Sequence, residues 1–147
     1  MAKLARDVMT PDPACCSAET PLDQVAKMMA DNDCGEIPIV DSSAHPIGVI
    51  TDRDIVCRTL AQGRNPMELT ARDCMTQPAV AVALEASLED CCATLEEHRI
   101  RRVPIVDARG EIRGIVSQAD IARSGPARMT SDVVREVSRP TGRAAHA

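Results

Sequence analysis

An α/β fold built from two copies of one unit is predicted by three features of this sequence. The chain matches itself without a gap when shifted by 66 residues, each copy holds one apolar segment of helical period, and each then passes into two short β-branched runs. In that shift residues 7–55 lie over residues 73–121 with twelve identities, where chance gives about three. They include Met9-Thr10 with Met75-Thr76, Leu22 with Leu88, and Pro38-Ile39-Val40-Asp41 with Pro104-Ile105-Val106-Asp107. Gly48 with Gly114 and Asp54-Ile55 with Asp120-Ile121 extend the match.

Taken in order, each copy opens on a brief extended stretch, residues 14–17 and 79–82. Leu22, Val25, Ala26 and Met29 then fall at i, i+3, i+4 and i+7, as do Leu88, Cys91, Cys92 and Leu95, which marks the buried face of one helix per copy. Thr20 ahead of Pro21, and Ser87, are the expected N-caps. Strands are expected over 37–41 and 47–51, and again over 103–107 and 112–117, with hairpin-length polar connections. Asp52 is expected to cap a second helix over 53–61, and residues 120–123 open its shorter counterpart. The unit therefore reads β-α-β-β-α. The first repeat is assigned to residues 4–62, a linker containing Gly63, Asn65 and Pro66 to 63–69, and the second repeat to 70–123. Residues 124–147 form a tail, with a short helix over 131–138 that places Val133, Val134 and Val137 on one side.

Composition narrows the function classes. A chain of 147 residues has single-domain length and buries about two thirds of its unfolded surface. It contains no Phe, Tyr or Trp, so bases cannot stack on aromatic rings and a purine has to be held by aliphatic walls. The net charge is −5, with five Arg against Asp132 and Glu136 from residue 123 onward, leaving −8 on the remainder. An acidic body argues against nucleic-acid binding, and the basic tail reads as a solvated segment. No apolar run approaches a membrane span, and residues 1–7 lack the apolar core of a signal peptide, so a cytoplasmic location is expected.

Seven cysteines without a C-x-x-C pair suggest neither a disulfide framework nor a zinc site. Under the 66-residue shift Cys15 meets Ala81, Cys16 Val82, Cys34 Ile100, Cys74 Val8, Cys91 Val25 and Cys92 Ala26. Six of the seven therefore read as small core hydrophobes, and Cys57, which meets Arg123, is the exception. The vicinal pairs Cys15-Cys16 and Cys91-Cys92 keep a redox or metal reading open as the alternative.

Each copy ends its last strand on one pattern: Gly48-Val49-Ile50-Thr51-Asp52-Arg53-Asp54 and Gly114-Ile115-Val116-Ser117-Gln118-Ala119-Asp120. A hydroxyl at a strand end and an Asp three positions on face one point at a helix N-terminus, where free N–H groups favour phosphate. A carboxylate also suits the paired hydroxyls of a ribose. The alternative is that Thr51, Ser117 and Asp52 merely cap helices while Asp54 and Asp120 stabilise the first turn. The pattern, preceded by an aliphatic-Pro-aliphatic-Val-Asp strand, resembles the cystathionine-β-synthase (CBS) domain across residues 4–123, in both copies.

That resemblance implies two units packed about a pseudo-twofold axis, with clefts that take an adenosine-containing ligand such as AMP, ADP or ATP, and no required cofactor. One cleft would combine Ala14, Cys34 and Gly35 with Ser117 and Asp120; the other would combine Val80 and Ile100 with Thr51 and Asp54. The phosphate-facing position is Arg102 in the second copy, with Arg101 beside it, and Glu36 in the first, where Arg53 is the compensating cation. Residues 98–102 also read as a solvated, cationic helix end. The resemblance further implies a homodimer, expected through the apolar faces of residues 22–29 and 88–95 with help from the tail helix, and a regulated protein partner. A scaffold protein with no small-molecule ligand is the alternative. No Ser-His-Asp or Cys-His arrangement, phosphate loop or metal cluster points to catalysis.

Overall fold

The structure is a computed structural model, and it describes residues 3–139. It contains α1 (Ala5–Val8), β1 (Thr10–Pro11), α2 (Leu22–Asp31), β2 (Glu36–Val40), β3 (Pro46–Thr51), α3 (Asp52–Arg58), β4 (Val82–Ala83), α4 (Leu88–His98), β5 (Arg102–Val106), β6 (Ile112–Ser117), α5 (Gln118–Ser124) and α6 (Ala127–Val137). Both predicted hairpins and both amphipathic helices are present, each strand within one residue of its expected bounds.

The compact units do not follow the repeat boundaries at 4–62 and 70–123. One unit comprises residues 12–80 and 108–112; the other comprises the described residues among 1–11, 81–107 and 113–147. We call them the first-repeat and second-repeat units. Each therefore takes in the Met-Thr segment that opens the other repeat. In the second-repeat unit Thr10 and Pro11 pair antiparallel with Ile115 and Gly114, giving the strand order β1-β6-β5-β4. In the first-repeat unit Thr76 bridges Val49, β3 pairs with β2, and Cys16 bridges Ile39, which is the same order with bridges in place of the short outer strands.

The duplicated glycines explain why this arrangement is tight. A Cβ on Gly48 would stand 2.7 Å from the carbonyl oxygen of Thr76, and one on Gly114 would stand 2.9 Å from that of Thr10. A side chain at either position would push the pairing Met-Thr segment off the sheet. Duplication also reaches the loops: Asp33 and Arg99 share a positive φ, as do Ala44 and Gly110, each pair 66 residues apart.

Periodicity selects the buried faces except at Ala26, which is exposed although it was expected on the buried face of α2. Leu22, Val25 and Met29 of α2 pack with Ile37, Ile39 and Ile50 in the first-repeat core, which Ala71, Cys74 and Met75 complete. In the second-repeat unit Leu88, Cys91, Cys92 and Leu95 of α4 are buried, as are Val103, Ile105, Val116 and Ile121. Four cysteines are buried, Cys15 and Cys34 are half-buried, and Cys57 is exposed.

Several local expectations are corrected. Thr20 does not cap α2: Pro21 is the N-cap residue, and the Thr20 hydroxyl instead accepts from Ser17 N at 3.1 Å. Asp52 is the first helical residue of α3, not its cap, a role that Thr51 takes. The helix expected over 53–61 stops at Arg58, where buried Thr59 donates its hydroxyl to the Ile55 carbonyl at 2.5 Å and a 3₁₀ turn, Leu60–Gln62, follows. The extended stretch at 14–17 contributes only the Cys16 bridge, whereas 79–82 leads into β4. The tail helix starts earlier than residue 131, at Ala127, because Pro126 has the fixed φ suited to a helix start and the segment packs on α4 and α5. Residues 140–147 of the tail lie outside the described residues.

Candidate functional site

The strand-to-helix turns fold alike in both units. In the first-repeat unit Asp54 N donates to Thr51 Oγ1 at 3.0 Å, while Asp54 Oδ2 accepts from Thr51 N at 3.0 Å. In the second-repeat unit Asp120 N donates to Ser117 Oγ at 3.2 Å, and Asp120 Oδ2 accepts from Ser117 N at 2.8 Å and Oγ at 3.0 Å. Each is a reciprocal capping box with Asp in the third helical position. The capping alternative is therefore real, yet it occupies only one oxygen of each carboxylate. The other oxygen, Oδ1, faces a cation in both turns.

Those cations differ. Asp54 Oδ1 lies 3.9 Å from Arg58, whose guanidinium is tied down by the carbonyls of Cys74 at 3.0 Å and Met75 at 2.8 Å and by the Thr76 hydroxyl at 3.2 Å. Asp120 Oδ1 takes a close ion pair from Arg123, one turn along α5, and the Asp120 side chain is only 7% exposed against 69% for Arg123. Arg123 is not among the residues the sequence points to as part of the site. Its i, i+3 spacing from Asp120 was the signal that could have found it.

The preceding strand completes each turn. Asp52 N donates to the Gly35 carbonyl at 2.9 Å, and Gln118 N donates to the Arg101 carbonyl at 2.9 Å, the same bond 66 residues apart. Gly35 leaves little room, since a Cβ there would meet the Asp52 carboxylate at 3.0 Å. Glu36 stands in register with Thr51, and Arg102, its repeat mate, is half-buried on the neighbouring strand to Ser117. The second-repeat unit thus has an arginine pair at the start of the strand beside its turn, where its mate has Glu36. Beside Ser117, the Gln118 carboxamide oxygen is buried and accepts no hydrogen bond among the described residues.

By unit, Ala14, Cys34, Gly35, Thr51, Asp54 and Val80 lie in the first-repeat unit, and Ile100, Arg101, Arg102, Ser117 and Asp120 in the second. Ala14 and Cys34 pack at the margin of the first-repeat core, while Val80 and Ile100 are half-buried. Helices α3 and α5 have only seven residues each, so their dipoles alone offer little to a phosphate and arginine side chains would have to supply the charge. A groove of about 510 Å³ on α4 and α6 lies elsewhere in the second-repeat unit. It is lined by Ala93, Glu96, Glu97, Asp132, Arg135 and Glu136, a net acidic surface that repels phosphate. Among the described residues no group of three or more His, Cys, Asp or Glu side chains is placed to hold a metal, and no helix is long and apolar enough to cross a membrane.

The duplicated strand, hydroxyl and aspartate coincide with two matches to one family model, the CBS domain, over residues 5–58 and 71–126. The chain belongs to the CBS-domain family. As a CBS-domain chain it is 34% identical over 136 residues to Hypoxic response protein 1 of Mycobacterium tuberculosis, covering 92% of this chain and 94% of that one. The crystal structure of Hypoxic Response Protein I, with two coordinated zinc ions, is similar at a TM-score of 0.77 and 35% identity, over 84% of this chain and all of that chain. CBSX2 in complex with AMP matches at a TM-score of 0.73 and 23% identity, over 82% of this chain and 95% of that chain. The CBS pair of protein MJ0100, in complex with 5′-methylthioadenosine and S-adenosyl-L-methionine, matches at 0.74 and 24%, over 84% and 95%. At those two identities the likeness carries the CBS fold alone.

Proposed function

We propose that this chain is a regulatory module that binds an adenosine-containing nucleotide and catalyses no reaction. The observation that carries the reading is the repeated aspartate, fixed through Oδ2 by its capping box so that Oδ1 is held in place for a ribose hydroxyl. The AMP held by CBSX2 and the two adenosine compounds held by the MJ0100 pair support this ligand class. The buried, unpaired Gln118 oxygen adds an acceptor beside the second turn. Ala14, Cys34, Gly35, Val80 and Ile100 are the aliphatic and small residues we assign to contact with the base.

The two turns are unequal. Arg101 and Arg102 stand by Ser117 and Asp120, whereas Glu36 stands by Thr51 and Asp54, so a phosphorylated ligand occupies the Ser117–Asp120 site first. A charge-assisted hydrogen bond to phosphate adds about 1.5–3 kcal/mol, roughly a ten- to hundredfold preference. By calorimetry with AMP, Asp120→Ala removes most high-affinity binding, Arg102→Ala weakens AMP by that factor but adenosine little, and Asp54→Ala is nearly silent at low ligand. Damage from Asp54→Ala with a silent Asp120→Ala reverses the assignment. No heat with AMP, ADP, ATP or S-adenosylmethionine favours the scaffold alternative.

The expected homodimer needs a different surface from the one predicted. The apolar faces at 22–29 and 88–95 are spent on their own cores, and Val133 of the tail helix is fully buried. Exposed apolar side chains in the first-repeat unit are Val56, Leu60 and Met67, and we assign the self-association to them. Sedimentation at tens of micromolar should give a dimer that Leu60→Glu converts to monomer; a wild-type monomer of 15.7 kDa defeats this assignment.

A further inference from the structure

We infer that Arg123 is a specificity-determining residue that makes the Ser117–Asp120 site select phosphorylated over unphosphorylated adenosine, an inference that rests on the ribose-binding reading above. In the structure the Asp120 carboxylate is fully engaged: Oδ2 accepts from Ser117 N and Oγ, and Oδ1 takes the Arg123 guanidinium. A ribose that reaches Oδ1 displaces that guanidinium. An uncharged nucleoside then replaces an ion pair by neutral hydroxyls, around a carboxylate that is nearly closed to water, and the exchange is unfavourable. A nucleotide brings an anion of its own. Arg123 is well exposed on a flexible stem, so on release it can turn from the carboxylate to the phosphate, beside Arg102, and charge pairing is conserved.

The first-repeat unit lacks the device. Cys57 occupies the position matching Arg123, and Arg58, which approaches Asp54, is anchored by the Cys74 and Met75 carbonyls and cannot follow a ligand. Asp54 therefore gives up no mobile cation to a ribose, and Glu36 in register with Thr51 still disfavours an anion there.

The test uses the full chain with Asp54→Ala, which silences the first-repeat site, and measures AMP and adenosine by calorimetry. Arg123→Gln is expected to strengthen adenosine and weaken AMP, narrowing the AMP-to-adenosine affinity ratio by about tenfold, the value of one charge-assisted contact. Arg123→Lys keeps a mobile cation and retains most of the ratio. Arg102→Ala is the contrast, because it weakens AMP without strengthening adenosine. If Arg123→Gln leaves the ratio unchanged while AMP still binds, Arg123 is only a surface ion pair and the inference is overturned alone. If the parent chain binds neither compound, the ribose-binding reading fails and takes the inference with it. Circular dichroism confirms that the exposed substitution leaves the fold intact.

Discussion

Cys91 and Cys92 follow one another on α4, and both are closed to water, at 0% and 5% exposure. Burial, then the neighbouring thiol, lifts Cys91 to about 11; burial, then Glu96, lifts Cys92 to about 11, from an ordinary value of 9.0. Between pH 9 and 11 the unfolded chain therefore loses protons that the folded chain keeps. The stability these thiols contribute is complete below pH 9 and is lost as pH rises through 11. Thermal melts by circular dichroism are expected to fall over that window. Cys91→Val with Cys92→Ala, the residues of the other repeat, should flatten the fall; an equally steep profile in the double variant would place the titration elsewhere. The same burial keeps these thiols from reacting. In native protein a maleimide should label exposed Cys57 first, with Cys91 and Cys92 reacting only on unfolding. Gly48 resists replacement on steric grounds, since a Cβ there would meet backbone at 2.7 Å. Gly48→Ala should cost about 1–3 kcal/mol in chemical denaturation, and a neutral result would show that the Thr76 segment yields freely.

Helix α6 acts as a lid on one unit. It packs on α4 and α5 through Val133, which is fully buried, while Val134 on its flank is 43% exposed. Burying a valine is worth roughly 2 kcal/mol, so Val133→Ala should lower stability by that order and Val134→Ala should hardly change it. Equal effects would mean that the helix does not dock by this face. In the other unit an arginine holds the borrowed segment: Arg58 donates to two successive carbonyls, Cys74 and Met75, ahead of the Thr76–Val49 bridge. Arg58→Ala should release residues 74–76, read as faster amide exchange at Thr76, whose N–H donates to the Val49 carbonyl at 2.8 Å.

At the scale of the molecule, each compact unit contains pieces of both sequence repeats. Residues 9–11 are paired to β6, and residues 74–76 are held by Arg58 and β3. A fragment of residues 1–66 therefore lacks the segment that seals its own sheet at Gly48, and a fragment of residues 67–147 lacks the one that lies on Gly114. Expressed apart, the two should show weak, non-cooperative helical signals. Mixed in equal amounts they should recover a single cooperative melt. Two fragments that each fold fully alone would show that the borrowed segments contribute little.

Much was written in the sequence because it depends on neighbours along the chain. The 66-residue duplication, the 3.6-residue period at Leu22, Val25 and Met29, and the Thr-x-x-Asp and Ser-x-x-Asp spacings dictated the helices, hairpins and capping turns, all of which are local geometry. The same spacing identified Asp54 and Asp120, and the contrast of Arg102 with Glu36, because repeats can be compared position by position. Tertiary structure alone decided the partners. Arg58 reaches beyond its own helix to the carbonyls of Cys74 and Met75, 16 and 17 residues along the chain. The apolar helix faces expected at a dimer contact are taken up by the cores on which they fold. Which Met-Thr segment lies on which glycine strand could not be read either, since both segments carry Met-Thr and both strands carry the same glycine-aliphatic-aliphatic-hydroxyl pattern. Only the path of the chain in space, with a backbone carbonyl oxygen within 3 Å of where a Cβ on Gly48 or Gly114 would stand, makes that choice.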